Sequence, residues 1–231
     1  LVFSSEVLAK THTTTASQKS HLTKASNKQV SSKQEYSRNS AKSSSLPDLR
    51  KYPSGTPRKK AFLRTVMPYI TSQNAAITAE RNWLISKQYQ GQWSPAERAR
   101  LKDIAKRYKV KWSGNTRKIP WNTLLERVDI IPTSMVATMA AAESGWGTSK
   151  LARNNNNLFG MKCMKGRCTN APGKVKGYSQ FSSVKESVSA YVTNLNTHPA
   201  YSSFRKSRAQ LRKADQEVTA TAMIHKLKGY S

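Results

Sequence analysis

The sequence predicts a mainly α fold of the α+β type, with a small antiparallel β region inserted late and a disordered basic segment in front. Three observations predict it. Apolar residues recur at helical spacing from about Pro57 onward. The stretch "NNNNLFGMKCMKGRCTNAPGKVKGYSQF" breaks that spacing with Gly and Asn punctuation and short β-prone pieces. Residues 10–56, by contrast, are Ser, Thr, Lys, Gln and Asn in no periodic order, too poor in apolar side chains to offset the entropy of ordering a chain.

Taken in order, residues 1–9 end in Val7-Leu8-Ala9 before Lys10, which resembles the close of a secretory signal. Residues 10–56 read as a basic linker. Residues 57–131 form a helical N-terminal part. Within it Phe62, Val66, Tyr69, Ile70, Ile77, Trp83 and Leu84 share helical spacing, and Pro68 marks a first turn or a kink. Ser94, Pro95 and Glu97 spell a capping box, opening a helix whose apolar face is Leu101, Ile104, Ala105 and Tyr108. A further helix lies between Pro120 and Pro132. The next begins at Pro132-Thr133, turns Met135, Val136, Met139 and Ala140 inward, and stops at Gly145. After the β region, Val184, Val188, Tyr191, Val192 and Leu195 mark another helix, and a last one covers roughly 207–227.

Charge narrows the partners. The formal net charge is +28, spread along the whole length rather than held in one tail. Such a balance implies polyanionic surroundings: nucleic acid, anionic lipid or an acidic cell-wall polymer. No recognised nucleic-acid motif accompanies it, so no specific nucleic acid is expected. Cys163 and Cys168 sit around a Gly turn in "MKCMKGRC", placed for a local disulfide in an oxidising compartment; the other reading is a pair of free cytosolic thiols. No further soft ligands stand near them, so neither a metal nor an organic cofactor is expected.

Glu143 is one of 12 acidic residues and falls in "AAAESGWGTSK", in the last turn of an apolar helix. The negative end of the helix dipole disfavours an ionised carboxylate there, and apolar neighbours such as Met139 and Trp146 would add desolvation in the same direction. A carboxyl kept protonated suits the donation of a proton to a glycosidic oxygen. The alternative is an ordinary solvated helix end.

The run "AAAESGWGTSKLARNNNNLFGMK" resembles the signature of glucosaminidase domains of glycoside hydrolase family 73, whose relatives cut bacterial peptidoglycan. The likeness continues through "YSQFSSVKESVSAYVTNL" and "THPAYSSF" and covers about residues 130–231. It implies a lysozyme-like, two-lobed domain over 132–231, a peptidoglycan glycan strand as substrate, a location in the periplasm or envelope, and a monomer. It implies Glu143 as the proton donor, with Ser144, Gly145, Trp146 and Gly147 forming the turn that fixes it. Asn157 and Phe159 match the entry into the β-lobe, where the substrate lies. Tyr178 is read as a stacking surface, Tyr201 as a wall of the cleft or part of the core, and Tyr230 as the first residue of a closing motif. Tyr191 reads as core. Two departures stand out: no Asp or Glu lies between Glu143 and Glu186, and relatives continue past the "GY" at Gly229-Tyr230, so the domain is expected to be C-terminally incomplete.

Overall fold

The computed structural model describes residues 45–163, 168 and 171–226. The expected signal remnant, the linker up to residue 44 and Tyr230 lie outside them.

Residues Thr56–Lys87 form one long helix, α1, with Pro57 near its start. Phe62, Val66, Ile70, Asn74, Ile77 and Leu84 make its buried stripe, stepping by three or four residues as far as Ile77 and then by two turns to Leu84, so that one side faces the core. Pro68 lies off this stripe on the exposed side and does not interrupt the helix; it removes one backbone donor where solvent can serve the freed carbonyl. Helix α2 (Pro95–Arg107) starts as the sequence predicts: Ser94 Oγ accepts from Glu97 N–H, and Ser94 N–H donates back to the Glu97 carboxylate at 2.8 Å. Helix α3 (Trp121–Arg127) stops earlier than its flanking prolines imply, because the chain turns Asp129 into the interior.

Helix α4 (Thr133–Ser144) is capped by Gly145 in the left-handed conformation. A short α5 (Lys150–Asn155), α6 (Val184–Thr197), α7 (Ser202–Lys213) and α8 (Ala220–Ile224) complete the described helices. The single helix expected over 207–227 is thus two. The break falls where Asp215 adopts a φ of 51°, and α8 is restarted by the Thr219 cap.

Helix α1 packs against both α4 and α6, α3 against α7, and α8 against α4. The described residues fall in one compact unit, so the helical front part and the segment carrying Glu143 share a core. That core also begins earlier than Pro57. Leu49 is fully buried, Leu46 packs beside it, and Leu46 N–H donates to the Asn156 side chain.

The β region is sparser than expected. Among the described residues it holds one antiparallel bridge, Lys162 with Tyr178. Asparagine side chains replace the missing ladder: Asn154 donates to Gly173 O, Asn155 pairs with both N–H and C=O of Val175, Asn156 donates to Phe181 O, and Asn157 donates to Ser179 O. A side-chain amide presents a donor and an acceptor as a peptide group does, so an Asn run can hold an extended return segment without strands. Cys163 and Cys168 are disulfide-bonded, with Cα atoms 5.2 Å apart.

Candidate active site around Glu143

Glu143 stands in the last turn of α4, but not on the buried stripe. That stripe runs Val136, Ala137, Ala140, Ala141, Ser144, and Glu143 lies beside it, exposed. Met139 and Trp146 do not bury Glu143. At 100° per residue, Ser134, Thr138 and Ala141 face the opposite side of α4 from Glu143. There, with Leu63, Met67 and Trp146, they line an apolar groove of about 490 Å³. Trp146 packs edge-on against Phe62 at 5.7 Å, with the Lys59 ammonium 5.1 Å from its ring.

The turn after Glu143 is built tightly. Ser144 is fully buried, its hydroxyl donating to Ala140 O and accepting from Gly147 N–H at 2.8 Å. Gly145, Trp146 and Gly147 all have positive φ. At Gly147, whose φ is 77°, an added Cβ would stand 2.6 Å from a Leu49 methyl and 3.2 Å from the Phe62 ring. Only glycine fits there, and the fit ties the turn to the start of the folded chain.

Facing Glu143 is the segment that follows the asparagines. A Cβ on Gly160 would lie 3.2 Å from Glu143 Oε2, so bare backbone sits against the carboxylate. Asn157 shapes this approach from inside. It is 1% exposed, donates to Met161 O and Ser179 O, and accepts from Phe159 and Met161 N–H. Its geometry is that of a turn-former spent on the backbone, whereas the resemblance expects a sugar contact. Phe159 is buried too, stacked on Tyr191 with ring centres 4.0 Å apart.

Tyr191 was expected only in the core, and it is buried there. Its phenol is pushed well above its ordinary range, first by burial and then by Tyr201 and Glu143, so it lies within electrostatic reach of both. The signal available in the sequence was an aromatic hydroxyl on a helix face otherwise made of Val184, Ser187, Val188, Val192 and Leu195. Tyr201, half-buried, ends the Pro199–Tyr201 turn, its ring 6.1 Å from that of His198. Arg205 pins this corner by donating to Leu195 O and His198 O. Glu143, Gly160, Phe159, Tyr191 and Tyr201 thus share one neighbourhood, whereas Tyr178 belongs to the bridge with Lys162.

Residues 120–230 match the Glucosaminidase family model, described as mannosyl-glycoprotein endo-beta-N-acetylglucosaminidase. The match makes this stretch, slightly under half of the chain, similar to a glucosaminidase domain, which suggests a glycoside hydrolase. No solved structure matches the chain. The matched range takes in Glu143, the asparagine run and the Tyr191–Tyr201 corner, and leaves out α1 and the residues that close on Gly147.

The other carboxylates have separate employment or separate places. Glu186 accepts from Ser182 N–H and Oγ at the start of α6, a cap rather than a partner for Glu143. Asp215 and Glu217 are exposed between α7 and α8. Among the described residues no group of three or more His, Cys, Asp or Glu is placed to hold a metal ion.

Proposed function

We propose that this protein is an endo-β-N-acetylglucosaminidase that cleaves the β-1,4 bond following N-acetylglucosamine in peptidoglycan, with Glu143 as the general acid. The observation that carries this reading is the exposed Glu143 carboxylate at the end of α4, faced by side-chain-free backbone at Gly160, inside the range that matches the glucosaminidase model. Glu143 is exposed to an incoming sugar ring, and Gly160 adds no side chain to cover it. Tyr201 serves as a wall of that site and Tyr178 as a more distant stacking surface. The basic linker, helical front half and signature together resemble the bacterial Bax protein, which favours a lysozyme-like enzyme of the periplasm or envelope.

An ordinary pair of catalytic carboxylates is not in view, since Glu186 is a cap and no other acid lies between it and Glu143. Attack by the substrate's own 2-acetamido group needs no second acid. The same lone glutamate favours one second reading, a lytic transglycosylase, which leaves anhydro-muramyl ends. A third possibility, a basic module that binds wall polymer without cutting it, predicts indifference to Glu143.

Digestion of purified peptidoglycan, followed by borohydride reduction and mass spectrometry, separates the three. Reduced N-acetylglucosamine ends are expected, falling at least a hundredfold in Glu143→Gln. Anhydro-muramyl ends select the transglycosylase. Binding without products, unchanged in Glu143→Gln, selects the non-catalytic module.

A further inference from the structure

We propose that a basic cleft between α1, α3 and α7 is an oxyanion-binding site, taking a carboxylate or phosphate at a distance from Glu143. The cleft has a volume of about 270 Å³ and is lined by Arg81, Asn122, Glu126, Arg212 and Lys213, with Leu125 and Ala209 as its floor.

Its charge is not balanced by the residues around it. Asp129, 1% exposed, is the shared anion. Arg212 grips it through Nε and Nη2 at 3.0 and 2.9 Å, Arg81 approaches at 3.6 Å and the fully buried Arg208 at 3.8 Å. Glu126 is engaged by Arg205 at 3.6 Å. Arg81, Arg205, Arg208, Arg212 and Lys213 therefore answer to two carboxylates; Arg205 and Arg208 lie buried, while Arg81, Arg212 and Lys213 line the cleft itself.

The cations that line it are held in place yet retain free donors. Arg81 spends Nη1 on Leu125 O and Val128 O, and Arg212 spends Nε and Nη2 on Asp129. Among the described residues, Arg81 Nε and Nη2, Arg212 Nη1 and Lys213 Nζ have no hydrogen-bond partner. Two anchored guanidiniums and an exposed ammonium around one cavity supply the fork and point-charge donors that recognise oxyanions. The cost of ordering the arginines is met in the folded state, so a ligand need not meet it again.

Position gives the site its use. Phe62 marks the end of α1 that packs on the Glu143 turn, and Arg81 lies roughly 28 Å further along the helix at 1.5 Å per residue. An anion held there belongs to a different part of an extended polymer from the bond at Glu143, or is a free ion.

Inorganic phosphate, titrated at constant ionic strength and followed by NMR, tests the site. Saturable shifts are expected at Asn122, Lys213 and the Arg81 and Arg212 Nε–H groups, with affinity reduced at least tenfold in Lys213→Glu and in Asn122→Asp. Both substitutions are at exposed positions, and unchanged thermal unfolding separates lost binding from lost fold. A soluble muropeptide with free stem carboxylates is then added. Displacement of phosphate upholds the site with the polymer as its source of anions; no displacement upholds it with free phosphate as the source. No saturable response to phosphate, or equal shifts at lysines over the whole surface, overturns it.

Discussion

Gly160 tests the site at the scale of a single residue. Its φ is 63°, and an added Cβ would stand 3.2 Å from Glu143 Oε2. Gly160→Ala is expected to cost about 1 kcal/mol in backbone strain. It should also shift the carboxylate by a few tenths of an ångström, lowering kcat roughly tenfold with KM little changed. Steady-state kinetics on a soluble glycan and a thermal melt read the two effects apart. An unchanged kcat in a folded variant would remove Gly160 from the site. The place of Glu143 in the last turn of a helix closed by Gly145 was legible in the sequence. Its exposure was not, since a one-residue difference on a helix separates the buried Ser144 from its neighbour. The backbone bonds of Asn157 were hidden for a related reason: an Asn run signals hydrogen bonding without saying whether the partner is a sugar or the chain's own carbonyls.

Among the elements, α2 owes its start to interactions that pH controls. The Lys87 ammonium above all, then the Ser94 backbone and side chain, pull the Glu97 carboxyl from 4.5 down to about 2. Since the folded value is the lower one, the cap stabilises the protein fully above about 4.5 and is lost as pH falls through about 2. An NMR titration should find Glu97 with a midpoint near 2. In Ser94→Ala that midpoint should rise, with stability lower by about 1 kcal/mol at neutral pH. This helix was readable because a cap is a local code of four consecutive residues. The ends of α3 and α7 were not, because Asp129 and Asp215 turn the chain for reasons set by distant arginines and by backbone conformation. Among the described residues of the β region there is one bridge, and four asparagine side chains supply further pairing that a strand pattern in the sequence does not reveal.

For the molecule as a whole, the buried charge around Asp129 joins α1, α3 and α7. Burial draws the Arg208 guanidinium down to about 10, yet leaves it charged at neutral pH. Asp129→Asn keeps the shape and removes the anion that Arg81, Arg208 and Arg212 share. A loss of roughly 3–5 kcal/mol is expected from urea denaturation, because an unpaired buried charge remains. A second prediction concerns the limits of the fold. Residues 120–230 match the family model, but α1 supplies the wall on which α4 and α6 rest. A fragment of 120–230 should show no cooperative unfolding transition, whereas 45–231 should show one.

The hydrogen bond from Leu46 to Asn156 spans 110 positions, and the same segment fills the space over Gly147. Contacts that distant must wait for a large loop to close, whereas each helix needs only its neighbours. On refolding from denaturant, helical signal should therefore recover before glycan cleavage does. A chain caught in that interval holds its glutamate on an unfinished turn, and the ability to cut arrives only when the start of the folded chain has reached the Gly147 turn and the asparagine run.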